Sequence, residues 1–154
     1  MYSALLFFHS AFRWLVLVSL LYALYRGLTG WLGHRPYSKS DNSVRHITAT
    51  ISHIQLMIGY TLYFNSPIIS YFRANFSQAS RQLEFLFFGL IHITLMTVAV
   101  FFITIGSAAA KRRETDEAKF KTMTVWFLLA LLIIFTAIPW PFSPLANRPY
   151  FRPF

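Results

Sequence analysis

Hydrophobic and polar positions along the chain segregate into four long apolar windows separated by three more polar connections. The windows run from about residue 4 to 28, 44 to 64, 83 to 107 and 121 to 140. Each is as long as the roughly 20 residues that a membrane-crossing helix needs. The pattern predicts an all-α integral membrane protein, a four-transmembrane-helix antiparallel bundle filling residues 1–154 as a single domain. Gly27, Gly30, Gly33 and Pro36 predict a break after the first helix, and Ser40-Asp41-Asn42-Ser43 offers N-cap candidates for the second. Asn65-Ser66-Pro67 ends the second helix. The stretch 68–80, polar and aromatic by turns, reads as a segment lying along the membrane interface. Lys111-Arg112-Arg113 suits the C-terminus of the third helix, and Pro139, Pro141 and Pro144 stop the fourth. The first window lacks a basic leader and a small-residue cleavage site, so it reads as a retained helix.

Composition sharpens this reading. Of 154 residues, 56% are hydrophobic, 19% aromatic and only 12% charged, about half the charged fraction of an ordinary globular domain. A soluble enzyme would lack polar surface for its shell. The absence of cysteine excludes disulfides, Fe–S clusters, thiolate catalysis and cysteine-based zinc sites. The net charge of +9 comes from 14 Lys and Arg against 5 acids. In a soluble chain that balance would suggest nucleic acid. Here the cations sit in short segments between apolar runs, so the expected partner is membrane lipid and no nucleic acid. Arg26, Arg35, Lys39 and Arg45 flank the first connection, and Lys111, Arg112, Arg113, Lys119 and Lys121 the third. The opposite side carries Arg73, Arg81, Arg148 and Arg152. The first and third connections are therefore expected in the cytoplasm and both termini outside.

Ionisable groups inside a membrane are costly and mark functional candidates. The windows hold His9, Arg13, His46, His53 and His92, with Glu84 near the outer end of the third. His46, Thr50, His53, Met57 and Tyr60 are spaced by four, three, four and three, which places them along one side of a helix. Gly59, close to that side, would let a flat ligand or another helix approach. His9 and Arg13 share a face one turn apart. Histidines facing inward from three helices of a bundle without cysteine suit a b-type haem, whose iron takes axial imidazoles from facing helices. His53 and His92 are the first pair expected on the haem iron, with His9 as substitute ligand or quinone contact. Arg13 would hold a propionate as a bidentate fork, or would pair with Glu84 in a structural role. His46 stands only about 10 Å along the helix from His53, so one haem is expected rather than two. The alternative for each histidine is a hydrogen bond between helices. There is no paired intramembrane carboxylate, no Ser/His/Asp set, and no GxGxxG, P-loop or HExxH motif.

Five stretches carry a resemblance: His9-Ser10-Ala11-Phe12-Arg13-Trp14, Ser52-His53-Ile54-Gln55-Leu56-Met57-Ile58-Gly59, Leu90-Ile91-His92-Ile93, Lys119-Phe120-Lys121 and Ile138-Pro139-Trp140-Pro141-Phe142. Together they resemble short four-span bacterial membrane proteins labelled cytochrome b or cytochrome-b-like, over nearly the whole chain. The resemblance implies a multi-pass protein of the bacterial inner (plasma) membrane, haem b, and electron exchange with quinone by analogy with cytochrome b561. That class uses two histidines on each of two helices for two haems, whereas the histidines here are spread singly over three. If the resemblance extends to the site, His53, His92 and His9 inherit axial candidacy.

Two functions of different class follow as expectations. One is a haem-b electron-transfer protein of the membrane, a one-electron relay. The other is a non-catalytic accessory subunit of a larger respiratory or photosynthetic complex, or a homo-oligomer, whose histidines pack helices or bind pigment. A transporter is the poorest fit, because acidic relays and broken helices are missing from the windows.

Overall fold

The computed structural model describes residues 2–150. Its elements are α1 (Tyr2–Leu32), α2 (Lys39–Asn65), the short α3 (Pro67–Ala74), α4 (Phe76–Ala79) and α5 (Leu83–Leu86), a π-helical turn over Phe87–Ile91, α6 (His92–Lys111) and α7 (Asp116–Ala137). No strand occurs among the described residues. Three helical stretches are long and apolar enough to cross a membrane: α1, the continuous run Leu83–Lys111, and α7. At 27 residues α2 is also long enough, but Arg45, His46, His53, Gln55 and a series of hydroxyl side chains leave it more polar than the other three.

Side-chain contacts fix the directions. Between α1 and α2, Arg26 meets Asp41, the Ser19 carbonyl meets Thr48, and His9 meets Gln55. Between α2 and α6, Arg45 meets Ser107, His53 meets Thr104, and Tyr60 meets Thr97. Gly106 packs on Trp126 and His92 reaches Ala137 between α6 and α7, while Gly30 packs on Phe120 and Gly27 on Thr124 between α1 and α7. In every pair the numbers run in opposite senses. Each long helix is antiparallel to two neighbours, and the bundle closes in the order α1, α2, α6, α7.

Leu20, Ala23, Ala99, Ile103, Phe120, Met123, Phe127 and Ala130 form the buried core. Small residues admit large ones: a Cβ on Gly30 would fall 2.4 Å from the Phe120 ring, and one on Gly106 2.2 Å from Trp126. Gly27 and Gly30 therefore lie inside α1 and do not end it as expected. Close helix approach outweighs their weak helix propensity, as is usual between membrane helices. The stop comes at His34, in the left-handed region at φ 49°. There the Arg35 N–H bonds the Gly30 carbonyl (3.2 Å) and the His34 N–H the Trp31 carbonyl (3.4 Å), a Schellman closure.

The next helix begins earlier than its expected cap. Ser38 accepts from the Asp41 N–H, and the Asp41 carboxylate accepts from the Ser38 N–H, a reciprocal capping box. Asp41 is fully buried yet also accepts from Arg26 and Arg35. Burial alone would raise its carboxyl. The bonds from Arg35, Ser38 and Arg26 outweigh that and hold it well below the usual carboxylate range. Arg45, also buried, donates to the Ser107 carbonyl and hydroxyl and to Asn42. This end of the bundle, rich in cations, is thus tied by polar bonds across α1, α2 and α6.

Candidate functional site

The opposite end is hollow. The first four turns of α1, the last four of α2, α3, the π turn with the first half of α6, and the end of α7 with the segment after it line a partly open cavity of about 230 Å³ with a predominantly apolar lining. His9, Arg13, Gly59, His92, Met96 and Arg148 all line it. Such an apolar recess with a few convergent polar groups is the form small-molecule and cofactor sites take.

Two prolines set the position of His92. In a continuing helix the N–H groups of residues 139 and 141 would bond the carbonyls of Phe135 and Ala137. Pro139 and Pro141 have no N–H. The Phe135 carbonyl is taken instead by the indole Nε1–H of Trp140 (2.8 Å) and the Ala137 carbonyl by Nδ1 of His92 (2.7 Å). A carbonyl only accepts, so Nδ1 carries the proton, and in its neutral form His92 would keep a lone pair on Nε2. A histidine held through one nitrogen by a backbone carbonyl and free at the other is the arrangement of metal-ligating histidines. Five residues of π helix, Phe87–Ile91, lead into it, and such turns recur at functional sites. Gly89 within the turn lies against the Phe72 ring and gives its carbonyl to Tyr63 OH (2.9 Å). Phe87 and Phe88 flank the imidazole at 5.6 and 6.3 Å between ring centres.

His9 faces His92 from α1, with ring centroids 6.3 Å apart and planes at 73°. Gly59 makes the room: a Cβ there would stand 3.2 Å from His9 Cε1. The partner that Gly59 admits is thus this ring. Gln55 donates to the His9 backbone carbonyl at 3.0 Å and lies 3.5 Å from its Nε2. Three buried atoms of this pocket have no hydrogen-bond partner among the described residues: His9 Nδ1, Arg13 Nε and Gln55 Oε1. Tyr37 OH, Arg45 Nε and Thr124 Oγ1 are likewise unmatched at the other end of the bundle.

Two guanidinium groups stand at the rim. Arg13 lies 5.3 Å from the Trp14 ring centre and 5.9 Å from that of Trp140, and donates to the Tyr150 carbonyl. No carboxylate pairs with it among the described residues. The pairing of Arg13 with Glu84, expected as its structural alternative, is not formed. Glu84 is taken by Arg148, which also sits over the Phe88 ring at 4.7 Å and bonds the Pro139 carbonyl through its backbone N–H.

Of the four residues singled out from sequence, the structure gathers His9, His92 and Arg13 around one cavity and sets His53 apart. His53 is exposed on the outer side of the α2–α6 seam, where it meets the Thr104 hydroxyl at 2.9 Å. The Thr104 proton is spent on the Val100 carbonyl, so His53 is the donor. Tyr60 and Thr97 repeat the same clasp seven residues along each helix, at 2.8 Å. The stripe expected to face inward from α2 thus faces outward, because Thr48, Ala49 and Ser52 occupy the buried side. Sequence reasoning missed Gln55, Arg148 and the Ala137 carbonyl. The prolines at 139 and 141 were the available signal for the last, since they strip two carbonyls of their helical donors. Among the described residues no three His, Asp or Glu side chains come together as ligands for a bare metal ion. No family model matches the chain, and no curated protein or solved structure matches it either.

Proposed function

We propose that the chain is a four-span plasma-membrane protein that holds haem b between His9 and His92 and relays single electrons, with quinone as exchange partner. The observation that carries this reading is the His9–His92 pair, 6.3 Å between ring centres across the cavity. Two imidazoles brought together from different helices would be placed to hold a haem iron. The donor set suits the group, while the cavity, at about 230 Å³, would have to widen to take the macrocycle. His92 presents Nε2 with its other nitrogen tied, the lining is apolar, and polar atoms of His9, Arg13 and Gln55 lack partners. Arg13 and Arg148 would hold the propionates, since both guanidinium groups line the pocket. Phe88, Met96 and Ile134, which line the cavity, would keep water from the site. The bound haem supplies a reversible one-electron couple, and the protein contributes ligation, orientation and an apolar surround that tunes the potential. This pairing exchanges His53 for His9 as the partner of His92. His53 is assigned instead to the helix clasp with Thr104.

The test is a reduced-minus-oxidised absorbance spectrum of the detergent-purified protein from haem-replete cells. A sharp b-type band is expected in wild type and in His53→Ala, and is expected to be lost in His9→Ala and His92→Ala. A colourless wild type would overturn the haem reading and leave the accessory-subunit function in its place.

A further inference from the structure

The chain does not leave the bundle where α7 ends. Residues 139–150 turn back along the cavity end, kept out of a helix by Pro141, Pro144 and Pro149. Little binds this segment to itself. The Ser143 N–H meets the Trp140 carbonyl (3.0 Å), the Arg148 N–H the Pro139 carbonyl (3.1 Å) and the Leu145 N–H the Ser143 hydroxyl (3.3 Å). Among its described residues beyond Trp140, Ala146 is the one that is buried. Two attachments to other elements hold it. Arg148 pairs with Glu84 of α5, and the Tyr150 carbonyl accepts from Arg13 of α1, with the Tyr150 ring centre 6.5 Å from that of Trp14. Pro139, Arg148 and Pro149 meanwhile form part of the cavity wall.

We propose that this segment is the gate of the cavity and that the Arg148–Glu84 pair is its latch. Three observations select it. The rest of the wall is helical but for Ser66 and Ile138 at helix ends. The segment can therefore swing about Pro139 and Pro141 while the packed bundle stays as it is. Its latch is also weak enough to open. The side chains of Glu84 and Arg148 are 54% and 22% exposed, and ion pairs in contact with solvent hold little. The pairs at the other end of the bundle close on a fully buried carboxylate instead. Finally, the latch stands on the path of entry. Arg148 lines the cavity, so a carboxylate arriving there meets the guanidinium that holds the gate and can replace Glu84 on it. From the proposed function this inference takes only that the cavity admits a ligand from outside.

The chain has no cysteine, so introduced ones report access without background. Ala146→Cys lies in the gate, Met96→Cys on the cavity wall and His53→Cys on the outer α2–α6 seam. Each is placed singly in the full-length, detergent-solubilised protein, thermal unfolding verifies that it is folded, and its rate of labelling by a maleimide is measured. Adding Glu84→Gln is expected to speed labelling at 146 and at 96 about two- to fivefold, the range for a partly exposed ion pair, and to leave 53 unchanged. Exchanging the charges, with Glu84→Arg and Arg148→Glu together, is expected to return both rates to near their starting values. Rates at 146 and 96 that ignore Glu84→Gln, acceleration at 146 without acceleration at 96, or equal acceleration at 53 would each overturn the gate. Added hemin is expected to slow labelling at 96. Unslowed labelling at 96 would count against the haem reading alone and leave the gate to be judged by the effect of Glu84→Gln.

Discussion

Gly59 and His9 show how much rests on single side chains at the cavity. A Cβ at 59 would come within 3.2 Å of the imidazole, a contact tight enough that the ring must give by a few tenths of an ångström. Gly59→Ala is therefore expected to fold but to perturb the site, weakening or broadening the b-type band. Gly59→Leu is expected to abolish it. Absorbance of the two variants beside their unfolding midpoints separates the site effect from loss of fold. At the other end, Asp41 joins Arg26, Arg35 and Ser38 while fully buried. Asp41→Asn is expected to cost about 2–3 kcal/mol in unfolding experiments, because two cations lose their counter-charge but are near enough to solvent to recover part of it. The pH dependence follows from the lowered carboxyl. The stabilisation is complete above the ordinary carboxylate value of 3.8 and is lost as pH falls below it, while the Asn variant lacks this acid-side decline. Unfolding midpoints of the two proteins across the acid range test this.

At the level of elements, the windows of apolar sequence located the long helices because membrane-scale hydrophobicity is a property of about twenty residues at once and tolerates local exceptions. The ends were less legible. Gly27 and Gly30 look like breakers in isolation, yet the Phe120 ring and Thr124 need the space they leave. The π turn before His92 is a difference of one residue in winding that has no sequence signature of its own. The direction of the α2 stripe was misread for a related reason. Spacing places residues on one face, but which face turns inward depends on neighbours, and Thr48, Ala49 and Ser52, small and close-packing, occupied the inside. The clasps between α2 and α6 can be measured. Tyr60→Phe is expected to cost about 0.6 kcal/mol, the usual value for a hydrogen bond between membrane helices. Thr97→Val with Thr104→Val is expected to cost about twice that and to leave the spectrum intact. Loss of the haem band in the double variant would mean that the seam supports the site after all.

For the molecule as a whole, the two cation-rich connections picked out by counting do fall at one end of the bundle. The antiparallel register found in every neighbouring pair makes α1's C-terminus, α2's N-terminus, α6's C-terminus and α7's N-terminus share one end. That end carries Arg26, Arg35, Lys39, Lys111, Arg112, Arg113 and Lys119. With α2 as the fourth span, it is expected in the cytoplasm and the cavity end outside. Single cysteines at Ser40 and Arg113 should be labelled by an impermeant maleimide only after the membrane is breached, whereas one at Ser77 should be labelled in intact cells. The site was harder to read than the bundle, because it is assembled from α1, α2, the π turn and the end of α7. The His9–His92 distance depends on all four. Sequence identified both histidines as candidates but could not tell that His9 lines the cavity and His53 does not without knowing which side of α2 faced in.

The Arg26–Asp41–Arg35 ion pairs and the capping box lie at one end, and the other end holds the cavity. Stiffness is therefore graded along the axis, and the bundle should move like tweezers. The four helices are expected to hinge near the Arg26–Asp41 cluster and to splay at the tips when a large flat ligand enters. Amide hydrogens of α1 should then exchange with solvent deuterium orders of magnitude faster around Ser10 than around Ala23, and occupation of the void should slow the fast set while leaving the slow one as it was.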